Sequence, residues 1–265
     1  MGIFFKAFFG LFLRDLRVLT RELLPFLLRV GMQPLLFLFV FTFILPRMGG
    51  ANPMAMAGGL SFGTILLPGL MAVAIMFSGI AAVALPLSGE FGITREIDDR
   101  VMCPLPVWAV AVEKVCFSAM QSMVAALMVI PMAYYIPAVP VRANVGNWFL
   151  FALVLALSSL LAGSLGLLIG STVNPKQIGL VFSIVVVPIT FLGCVYYPWA
   201  WLDKIPWLKY GVLFNPIVYM SEGLRAVVTP SIGHMPWRGI LVALVFFTSL
   251  LGRLGLRGFL RRVLS

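Results

Sequence analysis

Residues 148–172 read WFLFALVLALSSLLAGSLGLLIGST and contain no charged side chain. A helix needs about 20 predominantly apolar residues to cross the hydrocarbon core of a bilayer, so this run is long enough to span a membrane. Similar apolar runs lie elsewhere in the chain, at Phe26–Leu45, Thr64–Leu87, Val107–Ile136, Gln177–Tyr196 and Trp237–Gly252. The sequence therefore predicts an all-α integral membrane protein with six transmembrane helices.

The composition of the whole chain supports this class. Hydrophobic residues make up 62% of the 265 residues and charged residues make up 11%. A soluble domain is roughly half apolar and about a quarter charged. Neither a linker nor a repeat of solenoid length divides the sequence, so residues 1–265 are predicted to form a single transmembrane domain.

The chain carries a net charge of +10, and the position of the charges indicates a topology rather than a nucleic-acid partner. If the N-terminus lies inside, six of the 19 basic residues fall on the outer side, namely Arg47, Arg142, Lys204, Lys209, Arg225 and Arg238. The remaining 13 (19 − 6) fall on the cytoplasmic side. The positive-inside rule therefore predicts that both termini are cytoplasmic. The excess positive charge is expected to attract the headgroups of anionic membrane lipids.

Residues 1–25 are predicted to form an amphipathic helix in the cytoplasmic membrane interface. Helical spacing collects one narrow polar stripe, formed by Lys6, Gly10, Arg14, Arg17 and Arg21. Apolar side chains cover much of the rest, including Phe4, Phe5, Phe8, Phe12, Leu16 and Leu23. The arginines interrupt the apolar stretch, so a cleavable signal peptide is not predicted. Pro25 allows a sharp turn into the first span, and a simple membrane anchor is the alternative role for this helix.

The centres of the predicted spans lack Asp, Glu, Lys, Arg and His. Ion-coupled transporters generally need ionisable groups at membrane depth, and enzymes need titratable groups in a pocket. A Gly-rich phosphate loop of the Walker type is also missing, so a partner would have to supply energy for uphill movement. An ion-coupled secondary transporter and a membrane-embedded lipid-modifying enzyme remain as alternatives to such a transport subunit.

Residues that often bind metals are few in this chain. The single histidine and the three cysteines are His234, Cys103, Cys116 and Cys194. Their spacing matches neither a zinc site nor a redox-active cysteine pair. The sequence therefore predicts no catalytic residue, no metal site and no cofactor bound by this chain.

Small residues repeat every four positions in the run 148–172, at Ala162, Gly166 and Gly170. Such a face lets the backbone of a second helix approach closely inside a membrane. Two interpretations are open, packing against another helix of the same chain and contact with another subunit, and the first is the more common.

The loop 89–106 is predicted to be cytoplasmic and contains six charged residues, Glu90, Arg95, Glu96, Asp98, Asp99 and Arg100. Helical spacing brings Phe91, Thr94, Asp98 and Met102 close together, and Pro104 and Pro106 end the helix before the third span. A short helix of mixed charge suits docking into a groove on a soluble partner. An ordinary solvated loop is the alternative interpretation.

The outer loop 197–236 is too apolar to be a free loop. Its first part contains Tyr197 and three tryptophans, which favour the membrane interface. Asn215 can cap, and Pro216 can begin, a short helix that ends near residues 229–230. Two half-helices that dip into the outer leaflet fit this loop, because neither is long enough to cross. Glu222 and Arg225 lie at i, i+3 spacing and can pair on one face of the second half-helix.

These features together resemble the membrane subunits of ABC-2 type ABC exporters over essentially the whole chain. The most specific part is the block Asn215-Pro216 followed by Tyr219, Glu222 and Arg225, which is similar to the NP…Y…E..R signature of that family. The loop after the second span resembles the coupling helix of the family. The chain looks most similar to the bacterial branch that includes the daunorubicin-resistance and Nod-factor export permeases, which handles drugs, lipo-oligosaccharides and polysaccharides.

The resemblance implies a partnership and two functional regions. It implies a multi-pass protein of the bacterial inner membrane that forms a dimer with a second copy or a paralogous permease. Two ATP-binding subunits would bind and hydrolyse ATP with Mg²⁺. The implied coupling residues are Glu90, Phe91, Arg95, Glu96, Asp98, Asp99 and Arg100. The implied outer gate on the re-entrant helix consists of Asn215, Pro216, Tyr219, Glu222 and Arg225.

Overall fold

The computed structural model describes residues 2–44, 47, 62–94, 105–136, 141 and 143–264, and the helices are numbered here in chain order. They are α1 (Gly2–Arg21), α2 (Leu23–Ile44), α3 (Phe62–Gly89), α4 (Val107–Tyr135), α5 (Trp148–Thr172), α6 (Pro175–Phe191), α7 (Pro206–Gly211), α8 (Pro216–Val228) and α9 (Trp237–Leu264). Over these residues the chain is helical with short turns and contains no strand. The prediction of an all-α integral membrane protein is confirmed.

Among the described residues, five helices are long and apolar enough to cross a membrane: α2, α3, α4, α5 and α9. The predicted span Gln177–Tyr196 differs, because its helix α6 ends at Phe191 and has 17 residues. At 1.5 Å per residue, α6 is about 25 Å long, which is less than the ~30 Å hydrocarbon core. The remaining residues of that run form turns that lead into the hairpin described below.

The amphipathic helix α1 and the first span α2 are separated at Glu22. Pro25 lies in the first turn of α2 and has no N–H to donate to the carbonyl of Arg21, so the regular helix breaks just before it. The helix is therefore interrupted at Glu22, three residues before Pro25. α1 then packs against the start of α4, where Leu11 contacts a small cluster with Leu105 and Ala109.

The centre of the bundle is the contact between α3 and α5. A Cβ added at Gly166 would lie 3.0 Å from the Cα of Ile80 on α3. A Cβ added at Gly170 would likewise lie 3.0 Å from the Cα of Ala84. Larger side chains would push the two helices apart. The small-residue face of α5 therefore packs against α3 of the same chain. This agrees with the first interpretation, packing against another helix of the same chain.

Helix α9 runs along α5 and continues past the predicted end at Gly252 to Leu264. The guanidinium of Arg262 donates to the carbonyl of Gly170 (3.3 Å) and to that of Val173 (3.0 Å), at the end of α5. These carbonyls have no partner within their own helix. We call this end of the bundle, which also carries Lys114 and Lys176, the basic end. The opposite end, which carries residues 192–236, is the hairpin end.

Candidate functional site

The helical hairpin within residues 197–236 follows a turn that begins where α6 stops. Residues 192–197 turn back over α3, and Gly69 of that helix makes the approach possible, since a Cβ added at Gly69 would lie 1.8 Å from the carbonyl oxygen of Val195. Cys194 has a φ of 52°, a left-handed conformation that non-glycine residues adopt infrequently. The turn is thus a specific, tightly packed structure.

Two side chains of α8 explain why the helix unwinds at this turn. The hydroxyl of Ser221 donates to the carbonyl of Gly193 at 2.6 Å. Nη2 of Arg225 donates to the carbonyl of Cys194 at 3.1 Å. Buried carbonyls need partners, and here they receive them from α8 rather than from the next turn of α6.

Helix α8 starts as its sequence predicts. Oδ1 of Asn215 accepts a hydrogen bond from the backbone N–H of Ile217 (3.0 Å), and Pro216 occupies the first helical position. The Asn215 amide also donates to the carbonyl of Ile189 on α6 (2.6 Å), which joins the two helices. The apolar face of α8, which includes Met220 and Leu224, is completely buried.

The ion pair expected from the i, i+3 spacing of Glu222 and Arg225 is present, and both side chains are 0% exposed. The carboxylate also accepts two backbone hydrogen bonds. One comes from the N–H of Trp199 (3.0 Å), where the first half of the hairpin begins, and the other from the N–H of Met235 (3.1 Å), just before α9. Glu222 therefore ties together three separate segments of the chain.

In the buried pair, each side chain compensates the charge of the other. Burial lowers the pKa of the Arg225 guanidinium, and the adjacent Glu222 carboxylate opposes that shift. Nε of Arg225 has no hydrogen-bond partner among the described residues, so the arginine depends on Glu222 and on the carbonyl of Cys194. Removing one partner of such a pair leaves a buried charge with poor compensation, which costs far more than removing both.

The first half of the hairpin comprises a 3-10 turn (Trp199–Lys204), α7 and a second 3-10 turn (Val212–Phe214). The indole N–H of Trp199 donates to the carbonyl of Lys209 (3.1 Å), and the hydroxyl of Tyr219 donates to the carbonyl of Leu213 (3.0 Å). Both α7 and α8 are too short to cross a bilayer. The hairpin is therefore a folded pair of short helices rather than a seventh span.

Only part of the predicted coupling loop falls within the described residues. Glu90 and Phe91 belong to a π-helical extension of α3 (Glu90–Thr94), whereas the predicted coupling residues between 95 and 100 lie outside the described part. Glu90 is buried and accepts a hydrogen bond from Nζ of Lys114 on α4 at 2.8 Å. Phe91 contacts the ring of Phe259 and lies under the guanidinium of Arg262. The start of the loop is thus anchored inside the basic end.

The sequence pattern of a known protein family matches most of the chain. The model of the ABC-2 type transporter matches residues 6–229, which include α1, the loop 89–106 and α8 with its ion pair.

The chain belongs to the ABC-2 type transporter family.

Curated relatives of this ABC-2 protein are named as transport permeases. The inner membrane transport permease YadH of Escherichia coli (strain K12) is 28% identical over 171 residues, which cover 63% of this chain and 63% of YadH. The permease of the same name from Shigella flexneri matches with the same identity and coverage. The aligned part therefore spans less than two thirds of the relatives' own length.

The site of this ABC-2 protein suits a mechanical role rather than catalysis. Members of the family are membrane transport subunits, and ATP hydrolysis resides on their partner subunits. Within the described residues, no group of three or more His, Cys, Asp or Glu side chains could hold a metal ion. Both side chains of the ion pair are 0% exposed, and the pair joins α8 to the segments that carry Trp199, Met235 and Cys194.

The sequence indicated the pair but not its surroundings. The partners of Glu222 at Trp199 and Met235 are backbone groups 23 and 13 residues away, and backbone donors leave no signature in a sequence. Ser221, next to Glu222 in the sequence, was not among the predicted site residues, although its hydroxyl bonds to the carbonyl of Gly193. The pairing of Glu90 with Lys114 could be found only once α3 and α4 were known to pack together.

Proposed function

We propose that this chain is the permease subunit of an ABC exporter in the bacterial inner membrane. Two permeases, either two copies of this chain or one copy with a paralogue, assemble with two ATP-binding subunits that hydrolyse ATP with Mg²⁺. The complex moves an amphipathic, lipid-linked, glycan-linked or drug-like substrate from the cytoplasm or the inner leaflet outward. Both termini and the loop 89–106 face the cytoplasm, and the hairpin faces outward.

The match of the ABC-2 family model to residues 6–229 carries this proposal, because it includes the loop 89–106 and most of the loop 197–236. Export by a partner-driven permease also fits the lack of Asp, Glu, Lys, Arg and His at the centres of the spans predicted from the sequence. The relatives are named inner membrane transport permeases, which supports the proposed location.

In this proposal the hairpin is a rigid gate at the outer end of the pathway. The Glu222–Arg225 pair, capped helix α8 and the turn at residues 192–197 form one hydrogen-bonded unit. Such a unit moves as a body when the helices that carry it move, and it keeps the outer end shut at rest. Asn215 and Tyr219 belong to the same gate, because each binds a carbonyl of a neighbouring segment.

The loop 89–106 connects the ATP-binding subunit to the bundle in this proposal. Residues beyond 94 supply the charged docking surface, while Glu90 fixes the base of the loop to α4 through Lys114. A movement of the loop therefore reaches α3 and α4 directly. Because this ion pair is buried on both sides, its partners cannot separate without exposing two charges in a poorly solvated site.

Copurification tests the proposal most simply. The chain carries an affinity tag and is expressed together with an ATP-binding protein encoded beside it, and the purified sample is weighed by native mass spectrometry. We expect two permeases and two ATPases, with ATP hydrolysis that rises when amphipathic compounds are added. A chain that purifies alone, with no ATPase activity in any combination, would contradict the proposal.

Labelling tests the proposed topology. An Asp98→Cys variant in a background without other cysteines should resist a membrane-impermeant thiol reagent added to intact cells and react after the membrane is opened. A Trp207→Cys variant on the exposed side of α7 is the matched control and should react in intact cells. Reaction of position 98 from outside would reverse the topology and overturn the assignment of the gate.

A further inference from the structure

Three arginines follow one another along the last helix of the bundle. Arg253, Arg257 and Arg261 occupy every fourth position of α9, and all three residues are exposed. Residues four apart lie on neighbouring turns of the same helix face, about 6 Å apart along the axis. We call these three residues the arginine ladder. The sequence of α9 contains no Asp or Glu, so this face of the helix carries positive charge alone.

The opposite face of α9 packs on the bundle and fixes the direction of the ladder. Phe259 is completely buried, and a Cβ added at Gly255 would lie 2.9 Å from the backbone nitrogen of Leu168 on α5. Arg262 follows Arg261 in the sequence but bonds to carbonyls at the end of α5. The contacts between α9 and α5 therefore turn the ladder away from the bundle.

The arginine ladder has no counter-charge within the described part of the chain. None of its three side chains takes part in an ion pair or a hydrogen bond with any described residue. A guanidinium stays charged at all pH values that proteins experience, and its planar fork of N–H donors matches the oxygens of a phosphate. Three such groups on successive turns form a row of donors that is suited to a phosphate group.

An apolar strip continues the face of the ladder toward the other end of α9. Val242, Phe246 and Leu250 also occupy every fourth position, and they are 70%, 58% and 41% exposed. With 3.6 residues per turn, Phe246 lies about 20° and Leu250 about 60° from Arg253 around the helix axis. One face of α9 is therefore apolar along its middle and cationic at the basic end. A lipid has the same order of acyl chain and headgroup.

The depth of Arg253 in the membrane favours a lipid over a soluble protein. Residues 239–252 carry no charge, and the flanking Arg238 and Arg253 lie about 22 Å apart along the helix. The hydrocarbon core is ~30 Å thick, so the two arginines cannot both lie outside it. Trp237 favours the membrane interface beside Arg238, which places Arg253 on the hydrocarbon side of the headgroups. Its side chain then extends outward to meet a lipid phosphate.

The charge of the ladder argues against a second copy of the chain on this face. A two-fold interface brings the same surface patch of both copies together. Two ladders would then face each other, and α9 supplies no carboxylate to balance them. Like charges placed opposite each other at an interface are unfavourable. An anionic occupant of the membrane itself meets neither objection.

We propose that the arginine ladder binds the phosphodiester headgroup of an anionic phospholipid in the leaflet at the basic end. The phosphate lies between Arg253 and Arg257, and one acyl chain runs along Leu250 and Phe246. Arg261, one turn farther from the hydrocarbon, repels the ammonium of a zwitterionic headgroup and so sets the preference for an anionic lipid. The inference goes beyond the proposed export function, because this binding needs neither ATP nor a partner subunit.

Native mass spectrometry of the full chain in a neutral detergent tests the lipid preference. The probes are phosphatidylglycerol, which is anionic, and phosphatidylethanolamine with the same acyl chains, which is zwitterionic. We expect each chain to retain one phosphatidylglycerol molecule, at a lipid concentration at least tenfold lower than phosphatidylethanolamine requires. Equal retention of the two lipids would overturn the proposal.

Matched arginine variants locate the site on α9. Arg257→Gln should lower the affinity for phosphatidylglycerol at least fivefold, and adding Arg253→Gln should lower it further. Arg238→Gln makes the same change of charge at the opposite end of the same helix and should leave the affinity unchanged. Thermal unfolding is measured for all variants, so that loss of fold is not counted as loss of binding. Equal affinities of the Arg257→Gln and Arg238→Gln variants would overturn the site.

A phosphatidylglycerol with a photoreactive acyl chain tests the course of that chain. We expect crosslinks in the peptide of α9 that contains Phe246 and Leu250, and crosslinks confined to other helices would contradict the proposal. Glycerol phosphate, which has the phosphate without acyl chains, should not displace the lipid. Displacement at equal concentration would show that the ladder binds a free anion instead.

An acidic protein surface is the other occupant that the experiments distinguish. Its signature would be an Arg253→Gln, Arg257→Gln variant that no longer copurifies an ATP-binding subunit but retains phosphatidylglycerol like the unaltered chain. That result would assign the ladder to a protein contact and refute the lipid site. The lipid measurements use the chain alone, so their failure would leave the proposed export function intact.

Discussion

The buried pair of Glu222 and Arg225 gives the sharpest test of the outer gate. The perturbations are Glu222→Gln, Arg225→Met and the double replacement, which keep approximate side-chain size and change the charge. Each single replacement leaves one charged group in a site that is closed to solvent. The double replacement leaves none, so it should be less harmful than either single replacement.

The contacts of each partner set the expected magnitudes. Removing one partner of a buried ion pair costs about 3–5 kcal/mol of unfolding free energy. Arg225→Met should lower the unfolding free energy by about 3 kcal/mol, because Glu222 still accepts hydrogen bonds from the N–H groups of Trp199 and Met235. Glu222→Gln should lower the unfolding free energy by about 5 kcal/mol, because the arginine loses its charged partner and keeps only neutral acceptors such as the carbonyl of Cys194.

The double replacement should cost about 1–3 kcal/mol, the usual cost of an imperfectly satisfied buried donor. Equilibrium unfolding of the three variants in mixed micelles gives the coupling energy, and export in membrane vesicles gives the functional counterpart. We expect the loss of unfolding free energy in the double replacement to be smaller than the sum of the two single losses by at least 3 kcal/mol, roughly the upper end of coupling energies between contacting residues. Additivity within about 0.5 kcal/mol would show that the side chains do not act as a pair, and the gate argument would fail.

Two further predictions concern the loop and the hairpin turn. Reversing the charges of Glu96 and Arg100 should leave ATP hydrolysis in place and abolish export in reconstituted vesicles; export at the wild-type rate would show that the loop does not transmit the signal. Gly69→Ala should lower the thermal unfolding temperature strongly, because its Cβ would overlap the carbonyl of Val195, and Gly10→Ala, which has nothing within 4 Å, should not. Equal stability of the two glycine variants would mean that the turn does not pack on α3.

Much of the fold follows from hydropathy alone, because a bilayer requires long apolar helices with internally satisfied backbones. The main difference concerns the run Gln177–Tyr196, where apolar composition continues but the helix ends at Phe191. The carbonyls of Gly193 and Cys194 bond to α8, and such a tertiary contact overrides the local preference. Hydropathy cannot distinguish an apolar helix from an apolar turn that is covered by protein.

The contacts of the site could be predicted where the partners are close in sequence, but not where they are far apart in sequence. The cap at Asn215 and the pair Glu222–Arg225 involve residues within one or two turns, and helical spacing reveals both. The bonds from Trp199 to Glu222 and from Lys114 to Glu90 join residues that are more than 20 positions apart. These contacts depend on which helices pack together, and a single sequence does not contain that information.

The native thiol of Cys194 offers the most direct measurement of a gate that opens with ATP. Its side chain is completely buried, Arg225 bonds to its carbonyl, and burial raises the pKa of the thiol to about 12, so almost no reactive thiolate is present at neutral pH. In the assembled complex with Cys103→Ser and Cys116→Ser, an impermeant thiol reagent is added from the outer side. The account predicts negligible labelling at rest, a rate that rises several-fold during ATP turnover, and labelling even at rest in Arg225→Met. A labelling rate that is the same with and without ATP turnover would contradict the outer gate.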